Sequence, residues 1–95
     1  MNYEWDNEKA ILNLRKHGVD FLDAIEALED HNRLEQIDPE FEYGEERLQI
    51  IGMTHGSILF VVVTMRSEDL CRIISARKAD RNEQNRYYAG DAETW

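Results

Sequence analysis

The chain has 95 residues, of which 42% are hydrophobic and 33% are charged, and its formal net charge is −9 at pH 7. This length fits one compact domain, and the balance of apolar and charged residues excludes a disordered chain. The longest apolar run, residues 58–63, is too short to span a bilayer, and a single cysteine, Cys71, excludes an internal disulfide.

The chain begins with a predicted strand and a predicted helix. Residues 2–5 alternate modestly, and Asp6 is suited to cap the helix that follows. The apolar residues of this helix recur at three- and four-residue spacing, so we expect them to face the core. They are Ala10, Ile11 and Leu14. Gly18 is a natural left-handed cap at the end of this helix.

A second helix and a weak edge strand come next. The helix is predicted over residues 20–30, because its apolar residues recur at i, i+4 and i+7. They are Phe21, Ile25 and Leu28. Residues 34–37 predict the edge strand, and residues 38–44 predict an acidic loop.

The second half of the chain changes to a period of two, which predicts strands. Residues 47–54 alternate, a turn signal follows at residues 55–56, and residues 58–64 are apolar at nearly every position, as in a central strand. Residues 70–76 predict a further strand, and a capping-box pattern begins a last helix over residues 80–88.

The resulting order, β-α-α-β-β-β-β-α, predicts an α+β fold in a single domain of residues 1–95. Short turns join most of the strands, so we expect an antiparallel sheet. Two N-terminal helices and one C-terminal helix would cover it.

A two-residue turn at His55-Gly56 would pair Thr54 with Ser57 and thereby set the two faces of the sheet. The first face is then wholly apolar and forms the main core. It carries Leu48, Ile50, Leu59, Val61, Val63 and Met65. The second face mixes apolar and polar residues. It carries Arg47, Gln49, Ile51, Met53, Ile58, Phe60, Val62, Thr64 and Arg66.

The strand after Arg66 has two possible registers, because a slip of one residue exchanges its faces. An even-numbered turn puts Arg77 on the second face, together with Cys71, Ile73 and Ser75. An odd-numbered turn puts Arg72 there instead and removes Arg77. The arginines of this face either extend over a solvent-facing sheet, with their charges in water or paired with acids, or bind a polyanion.

Charge is unevenly distributed along the chain. Residues 20–46 hold eleven acids and one base, whereas residues 72–86 hold five bases and two acids. The acidic segment is either a solvated face or a docking surface for a basic protein partner. The first residues contain no basic stretch followed by an apolar one, so we expect no signal peptide, a cytoplasmic location and no membrane partner.

The sequence contains no motif for a metal or a cofactor. His17, His31 and His55 are far apart, Cys71 is alone in an apolar strand, and neither a phosphate loop nor a dinucleotide fingerprint occurs. We therefore expect no metal and no cofactor. Any catalysis would depend on positioning and on cationic groups that stabilise a transition state.

Several short motifs resemble, in their order and spacing, those of the BrnT toxins of bacterial type II toxin–antitoxin systems. They are Trp5-Asp6 with Lys9 and Asn13, Lys16-His17-Gly18-Val19-x-Phe21, Gly44-Glu45-x-Arg47, Ile51-Gly52, Thr64-x-Arg66, Arg72-x-Ile74-Ser75-Ala76-Arg77 and Glu83-x-x-x-Tyr87. The resemblance implies a RelE-like fold and an endoribonuclease that blocks translation by cutting RNA. It also implies a ribbon-helix-helix antitoxin of the BrnA type, through which alone the toxin would reach operator DNA.

Metal-independent RNA cleavage needs a proton acceptor for the 2′-hydroxyl, a proton donor for the leaving oxygen and positive charge at the transition state. If the chain cuts RNA as the resemblance implies, we expect Arg66 and Arg77 to supply the positive charge at the transition state, because guanidinium groups bind phosphate oxygens bidentately. His17 is the candidate general acid or base, since histidine titrates near neutral pH. Alternatively, it only stabilises the end of its helix.

Lys16 and Arg47 are candidates to hold flanking phosphates. Arg81 is a third candidate, or is exposed without a role. Asn13 and Gly18 match the family motifs, but we interpret them as structural.

The net charge of −9 favours an alternative function, because it weakens long-range attraction to RNA. In that alternative, the chain has lost catalysis and acts only as the binding partner and co-repressor of its antitoxin. A structural domain of a larger assembly is the third hypothesis, which the lack of linkers does not favour.

Overall fold

The computed structural model describes residues 1–39 and 45–90. Within them, strands and helices follow the predicted order. They are β1 (Asn2–Glu4), α1 (Asn7–His17), α2 (Phe21–Leu28), β2 (Leu34–Ile37), β3 (Leu48–Thr54), β4 (Ser57–Ser67), β5 (Leu70–Lys78) and α3 (Arg81–Ala89). Most of the predicted acidic loop, residues 40–44, lies outside the described residues.

The strands form one sheet in the order β1-β5-β4-β3-β2. The apolar strand β4 is central and β2 is at an edge, as the sequence predicts. The expectation of a wholly antiparallel sheet is wrong for β1, which pairs with β5 in parallel. A parallel pair needs a long connection, and here most of the chain lies between the two strands.

The turn between β3 and β4 has the predicted two residues. Thr54 pairs with Ser57, and both His55 (φ 48°) and Gly56 (φ 80°) have positive φ, as a primed hairpin turn requires. This turn confirms the two faces inferred from the sequence for β3 and β4.

The first face forms the main core beneath α1 and α2. Its buried residues include Phe21, Ala24, Ala27, Leu28, Ile50, Leu59, Val61, Val63 and Ile73. The helix α2 lies directly against β3 at Gly52, where an added Cβ would lie 2.1 Å from the carbonyl oxygen of Ala27. Met65, which we expected in this core, is 41% exposed near the end of β4.

The prediction for the inner side of α1 is right for Ala10, which packs against the main core, and wrong for the other two residues. Ile11 and Leu14 are exposed, and the buried residue of this helix is Asn13. The strand β1 pairs only with residues 70–72 of β5, so the backbone of Ala76 lies beyond its end. The Asn13 Nδ2 donates to the Ala76 oxygen at 2.8 Å, and its Oδ1 accepts from the Ala76 nitrogen at 3.1 Å. The side-chain amide thereby takes the place of a neighbouring strand.

The helix α3 covers part of the second face and completes a smaller core there. This core contains Leu34, Ile51, Ile58, Ala79 and Tyr87. Asp80 and Glu83 form the predicted capping box at the start of α3. At its other end, the Tyr87 hydroxyl donates to Asp30, which also accepts from the Met53 nitrogen at 2.8 Å.

Candidate functional site

The polar residues of the second face lie in rows that run across the strands. From β1 towards β2, the first row holds Glu4, Arg72 and Thr64, the second holds Ser75, Val62, Gln49 and Gln36, and the third holds Arg77, Phe60, Ile51 and Leu34. The helix α3 packs against residues of the third row. Among the described residues, the first two rows are therefore the part of this face that α3 leaves open, although Thr64 is buried there and the other side chains are half-buried.

Arg72 and Arg77 share this face because β5 contains a bulge. Val62 pairs with Ser75 and Val63 pairs with Ile73, so one extra residue lies in β5 between these pairs. A bulge shifts the alternation of side chains by one residue. Each of the two registers that we considered is therefore right for one part of β5.

The residues that project to the other side of β5 belong to the main core. Cys71 and Ile73 are both buried there, rather than on the second face, where the even-numbered register placed them. Burial raises the pKa of the Cys71 thiol to about 11, so the thiol stays protonated at neutral pH.

Arg47, Arg66 and Arg72 form what we call the arginine cluster, at one end of this face. Arg72 lies opposite Thr64, and Arg66 is two residues further along β4. Arg66 itself lies at a second irregularity of this pairing, because Met65 pairs with Cys71 and Ser67 pairs with Leu70. Arg47 joins them because the Thr64 hydroxyl donates to the carbonyl oxygen of Glu46, at 2.9 Å.

Two members of the arginine cluster contact carboxylates. The Arg66 Nη1 donates to the Glu45 Oε1 at 2.8 Å, and Arg72 donates to Glu4. The Nε of Arg47 is buried and has no hydrogen-bond partner among the described residues. A pocket of about 390 Å³ opens beside Arg66 and is lined by Glu45, Glu46, Leu48, Thr64 and Met65.

Arg77 lies apart from this cluster. It pairs with Phe60, which is six residues from Arg66, and six residues of strand span roughly 20 Å. Its guanidinium donates to both oxygens of Glu83, at 2.8 and 2.9 Å, and lies 4.2 Å from the centre of the Phe60 ring. The hydrogen bonds to Glu83 raise the pKa of Arg77. This ion pair ties β5 to the first turn of α3.

His17 and Lys16 lie in the last turn of α1, at the other end of the sheet from the arginine cluster. The helix passes Ala76 through Asn13, and the residues after His17 line a cleft with Ser57 and Lys78. The structure therefore does not bring His17 together with Arg66, because α1 runs along β5 away from it. Arg81 is exposed at the start of α3.

The acids of the acidic segment are largely used within the fold. Asp20 caps α2, and His55 lies 3.2 Å from Glu26 and 3.6 Å from Asp23. Glu29 accepts from the Tyr3 hydroxyl at 3.1 Å. Burial, together with this hydrogen bond, raises the pKa of Tyr3 to about 12. These four acids are nevertheless exposed, so the segment stays compatible with both a solvated face and a basic partner.

Glu4 is a candidate site residue that the sequence-based assignment missed, whereas Arg72 was one of its two alternatives for this face. Their contact joins residues 68 positions apart and depends on the parallel pairing of β1 with β5. Glu4 directly precedes the motif Trp5-Asp6, and Arg72 begins the motif Arg72-x-Ile74. The positions of the two motifs in the sequence do not show that these residues are in contact in the fold. In residues 1–39 and 45–90, no group of three or more histidine, cysteine or acidic side chains is placed to hold a metal ion.

Helices in the described part of the chain all lack the length or the apolar character that a membrane crossing requires.

Comparison with known proteins relates this chain to ribonuclease toxins. The model of a family described as "Ribonuclease toxin, BrnT, of type II toxin-antitoxin system" matches residues 5–83. The structure is also similar to the 1.1 Å crystal structure of the Brucella abortus ribonuclease toxin BrnT. The TM-score is 0.63 and the sequence identity is 28%, over 85% of this chain and 99% of that chain. A comparison with curated proteins finds no match.

Proposed function

The chain belongs to the BrnT family of ribonuclease toxins of type II toxin–antitoxin systems, and from this premise we propose that it cuts RNA without a metal ion and thereby inhibits translation. Membership of a type II system implies an antitoxin partner. We propose a ribbon-helix-helix protein of the BrnA type, which neutralises the toxin and carries it to operator DNA.

The observation that supports this function is the arginine cluster on the open part of the second face. A phosphate between Arg66 and Arg72 would meet two guanidinium groups, whose charge stabilises a phosphorane-like transition state. The Arg66 side chain is 45% exposed, and an ion pair so exposed contributes only about 0–1 kcal/mol. A substrate phosphate can therefore replace Glu45 as its partner.

Glu4 is our candidate for the proton acceptor, because its carboxylate contacts Arg72. In the proposed step, the 2′-oxygen bonds to phosphorus while its proton passes to Glu4. The bond from phosphorus to the 5′-oxygen breaks, and the leaving oxygen takes a proton from solvent. His17 is the competing candidate. It would act on a phosphate near the opposite end of the sheet, where Arg77 lies.

The remaining cations would bind the RNA on either side of the cut. Arg47 belongs to the cluster and would contact a neighbouring phosphate. Arg77 is too far from Arg66 to contact the same phosphate, so it would bind further along the strand. Lys16 and Arg81 are exposed on α1 and α3 and would extend this second contact region.

The experiment is RNA cleavage by the purified chain without antitoxin, in low salt and EDTA. We expect Arg66→Ala and Arg72→Ala to lower the rate at least about 100-fold, because each removes one charge at the transition state. Arg33→Ala is the matched control, since Arg33 also pairs with an exposed glutamate but lies by the opposite edge strand, β2. Equal rates in all variants would overturn the assignment.

The two proton-acceptor candidates are separated by one further pair of variants. If Glu4 accepts the proton, Glu4→Gln loses cleavage and His17→Ala keeps it. The reverse pattern would assign the reaction to His17 and move the site to the other end of the sheet.

A second candidate function is a non-catalytic partner that represses the operon together with its antitoxin. The net charge of −9 favours it, as do the carboxylates that contact Arg66, Arg72 and Arg77. A folded, unmodified chain that binds the antitoxin but cuts no RNA, free or ribosome-bound, would establish this function instead.

A further inference from the structure

The helix α1 presents its large apolar residues to solvent. Ile11 is 53% exposed, Leu12 is 61% exposed and Leu14 is 47% exposed. On its inner side, Ala10 packs against the main core and Asn13 is buried. A surface helix normally buries its apolar stripe and exposes its polar side. The helix α1 therefore exposes large apolar side chains beside its charged ones.

These three apolar residues are not needed to hold α1 in place. The helix is capped at one end by Asp6 and at the other by Gly18, and Asn13 fastens it to Ala76. Contiguous exposed apolar residues can mark a surface for another molecule. Ile11 and Leu14 are neighbours at i and i+3, and Leu12 lies on the adjoining side of the helix. We call Ile11, Leu12 and Leu14 the α1 apolar patch.

The helix that carries this patch is net positive, whereas the chain as a whole is acidic. The helix carries Lys9, Arg15 and Lys16 and one acid, Glu8, which gives 3 − 1 = +2 within a chain of −9. An apolar patch with a basic surround is complementary to an acidic, amphipathic segment. It does not fit the basic partner that the acidic segment of the sequence suggested.

We propose that the α1 apolar patch is the docking surface for the antitoxin, which would contribute a segment with apolar residues flanked by acids. The inference rests on the antitoxin partnership of the proposed function and names the surface through which it forms. The apolar side chains of the partner would cover Ile11, Leu12 and Leu14, while its acids would meet Lys9 and Arg15.

The test measures the affinity of the chain for the product of the neighbouring gene, used as the antitoxin. Ile11→Glu places a charge in the patch, and it stays compatible with the helix because a glutamate here lies four residues before Arg15. Ile37→Glu is the matched control, with the same residue type and 54% exposure on β2, at the other side of the sheet. We expect Ile11→Glu to raise Kd at least tenfold and Ile37→Glu to leave it within about twofold.

A second pair of variants tests the charge of the partner. We expect Lys9→Glu to weaken binding several-fold at low salt and less at high salt, because screening reduces the contribution of exposed charges. Arg33→Glu, a reversal of charge near the opposite edge, should have no comparable effect. Equal effects of the two reversals would overturn the acidic character of the partner segment.

The outcomes separate this inference from the proposed function. If the unmodified chain does not bind the antitoxin, the partnership itself is overturned. If the unmodified chain binds, two results would overturn only the docking surface. Either Ile11→Glu binds the antitoxin as tightly as the unmodified chain, or Ile37→Glu loses as much affinity as Ile11→Glu. A dimer of the chain alone that Ile11→Glu dissociates would assign the patch to a second copy and would also overturn the proposal.

Discussion

Asn13 shows how one side chain can settle the position of a whole helix. Its amide satisfies both backbone groups of Ala76 and donates to the carbonyl oxygen of Val19, at 3.0 Å. Each buried polar group left without a partner costs about 1–3 kcal/mol. The amide therefore stabilises the fold more than an apolar side chain of the same size would, which explains why a polar residue lies on the inner side of α1.

We expect Asn13→Asp to destabilise the chain by about 3 kcal/mol, because a carboxylate can accept from the Ala76 nitrogen but repels the two carbonyl oxygens. Urea unfolding followed by circular dichroism measures this loss. Asn82→Asp, an exposed position in the first turn of α3, should change the stability by less than about 0.5 kcal/mol. Similar values for the two variants would contradict the role assigned to Asn13.

Asp30 gives the fold a dependence on acid pH. Burial acts to raise the pKa of its carboxyl, but the hydrogen bonds from Tyr87, Asn32 and Met53 outweigh burial and lower the pKa. The stabilisation is therefore complete above the pKa of the unfolded state, about 3.8, and is lost as the pH falls through the folded-state value.

We expect Tyr87→Phe to reduce this dependence on pH, because it removes one donor to the Asp30 carboxylate. The unfolding free energy of the unmodified chain should fall more steeply between pH 5 and pH 2.5 than that of the variant. Tyr88→Phe, at a 69% exposed position, should behave like the unmodified chain. Parallel curves for Tyr87→Phe and the unmodified chain would contradict this interpretation.

At the scale of the elements, the bounds of helices and strands could be predicted because their signals are local. Asp6, Gly18 and Asp80 act on their own helix ends, and the turn at residues 55–56 acts on its own hairpin. The inner side of α1 and the register of β5 could not be predicted. They depend on contacts such as that between Asn13 and Ala76, which lie 63 positions apart.

The candidate site could also be predicted only in part, where its residues depend on local alternation. Alternation from the hairpin turn predicted Arg47 and Arg66 on the second face, and in the structure the neighbouring residues Glu46 and Glu45 contact Thr64 and Arg66. The bulge in β5, which adds Arg72 beside them, depends on how both faces of the sheet pack and has no local signal. Spacing along the chain also could not show that Arg77 lies far from Arg66.

The contact between α2 and β3 depends on Gly52. We expect Gly52→Ala to destabilise the chain by about 3 kcal/mol or more, because the new Cβ would overlap the Ala27 backbone, which cannot rotate away. Thermal unfolding measures the effect, with the exposed Ser57→Ala as the control. A loss below about 1 kcal/mol would show that α2 shifts without cost.

One substitution can separate the ion pair that attaches α3 to β5 from the capping box at the start of α3. Glu83→Gln keeps the capping box but removes the charge that faces Arg77. We expect it to lower stability by about 1–3 kcal/mol, since the Glu83 side chain is only 11% exposed. If Arg77 binds RNA, the same variant should raise RNA affinity, because Arg77 is released. Unchanged affinity would limit Arg77 to holding α3.

At the scale of the whole molecule, the net charge of −9 opposes RNA, while the arginine cluster attracts it locally. A small number of phosphate contacts therefore determines how the affinity for RNA depends on salt concentration. Each contact to a single strand contributes about −0.7 to the slope of log K against log salt.

For an uncleavable RNA too short to extend beyond the arginine cluster, we expect a slope of about −2, from the three cations Arg47, Arg66 and Arg72. In Arg66→Ala, the slope should fall in magnitude by about 0.7. Fluorescence anisotropy at several salt concentrations measures both values. A slope steeper than about −4 would show that cations outside the cluster, such as Lys16 and Arg81, also contact phosphates.

The bulge in β5 has a genetic consequence. Residue 74 is the extra residue that lets Arg72 and Arg77 share a face with Thr64 and Phe60. Loss of this single codon would restore a regular strand in which the two arginines are four residues apart and still share a face. An in-frame deletion of this codon should therefore be tolerated better than an in-frame deletion in β3, whose pairing with β4 contains no extra residue.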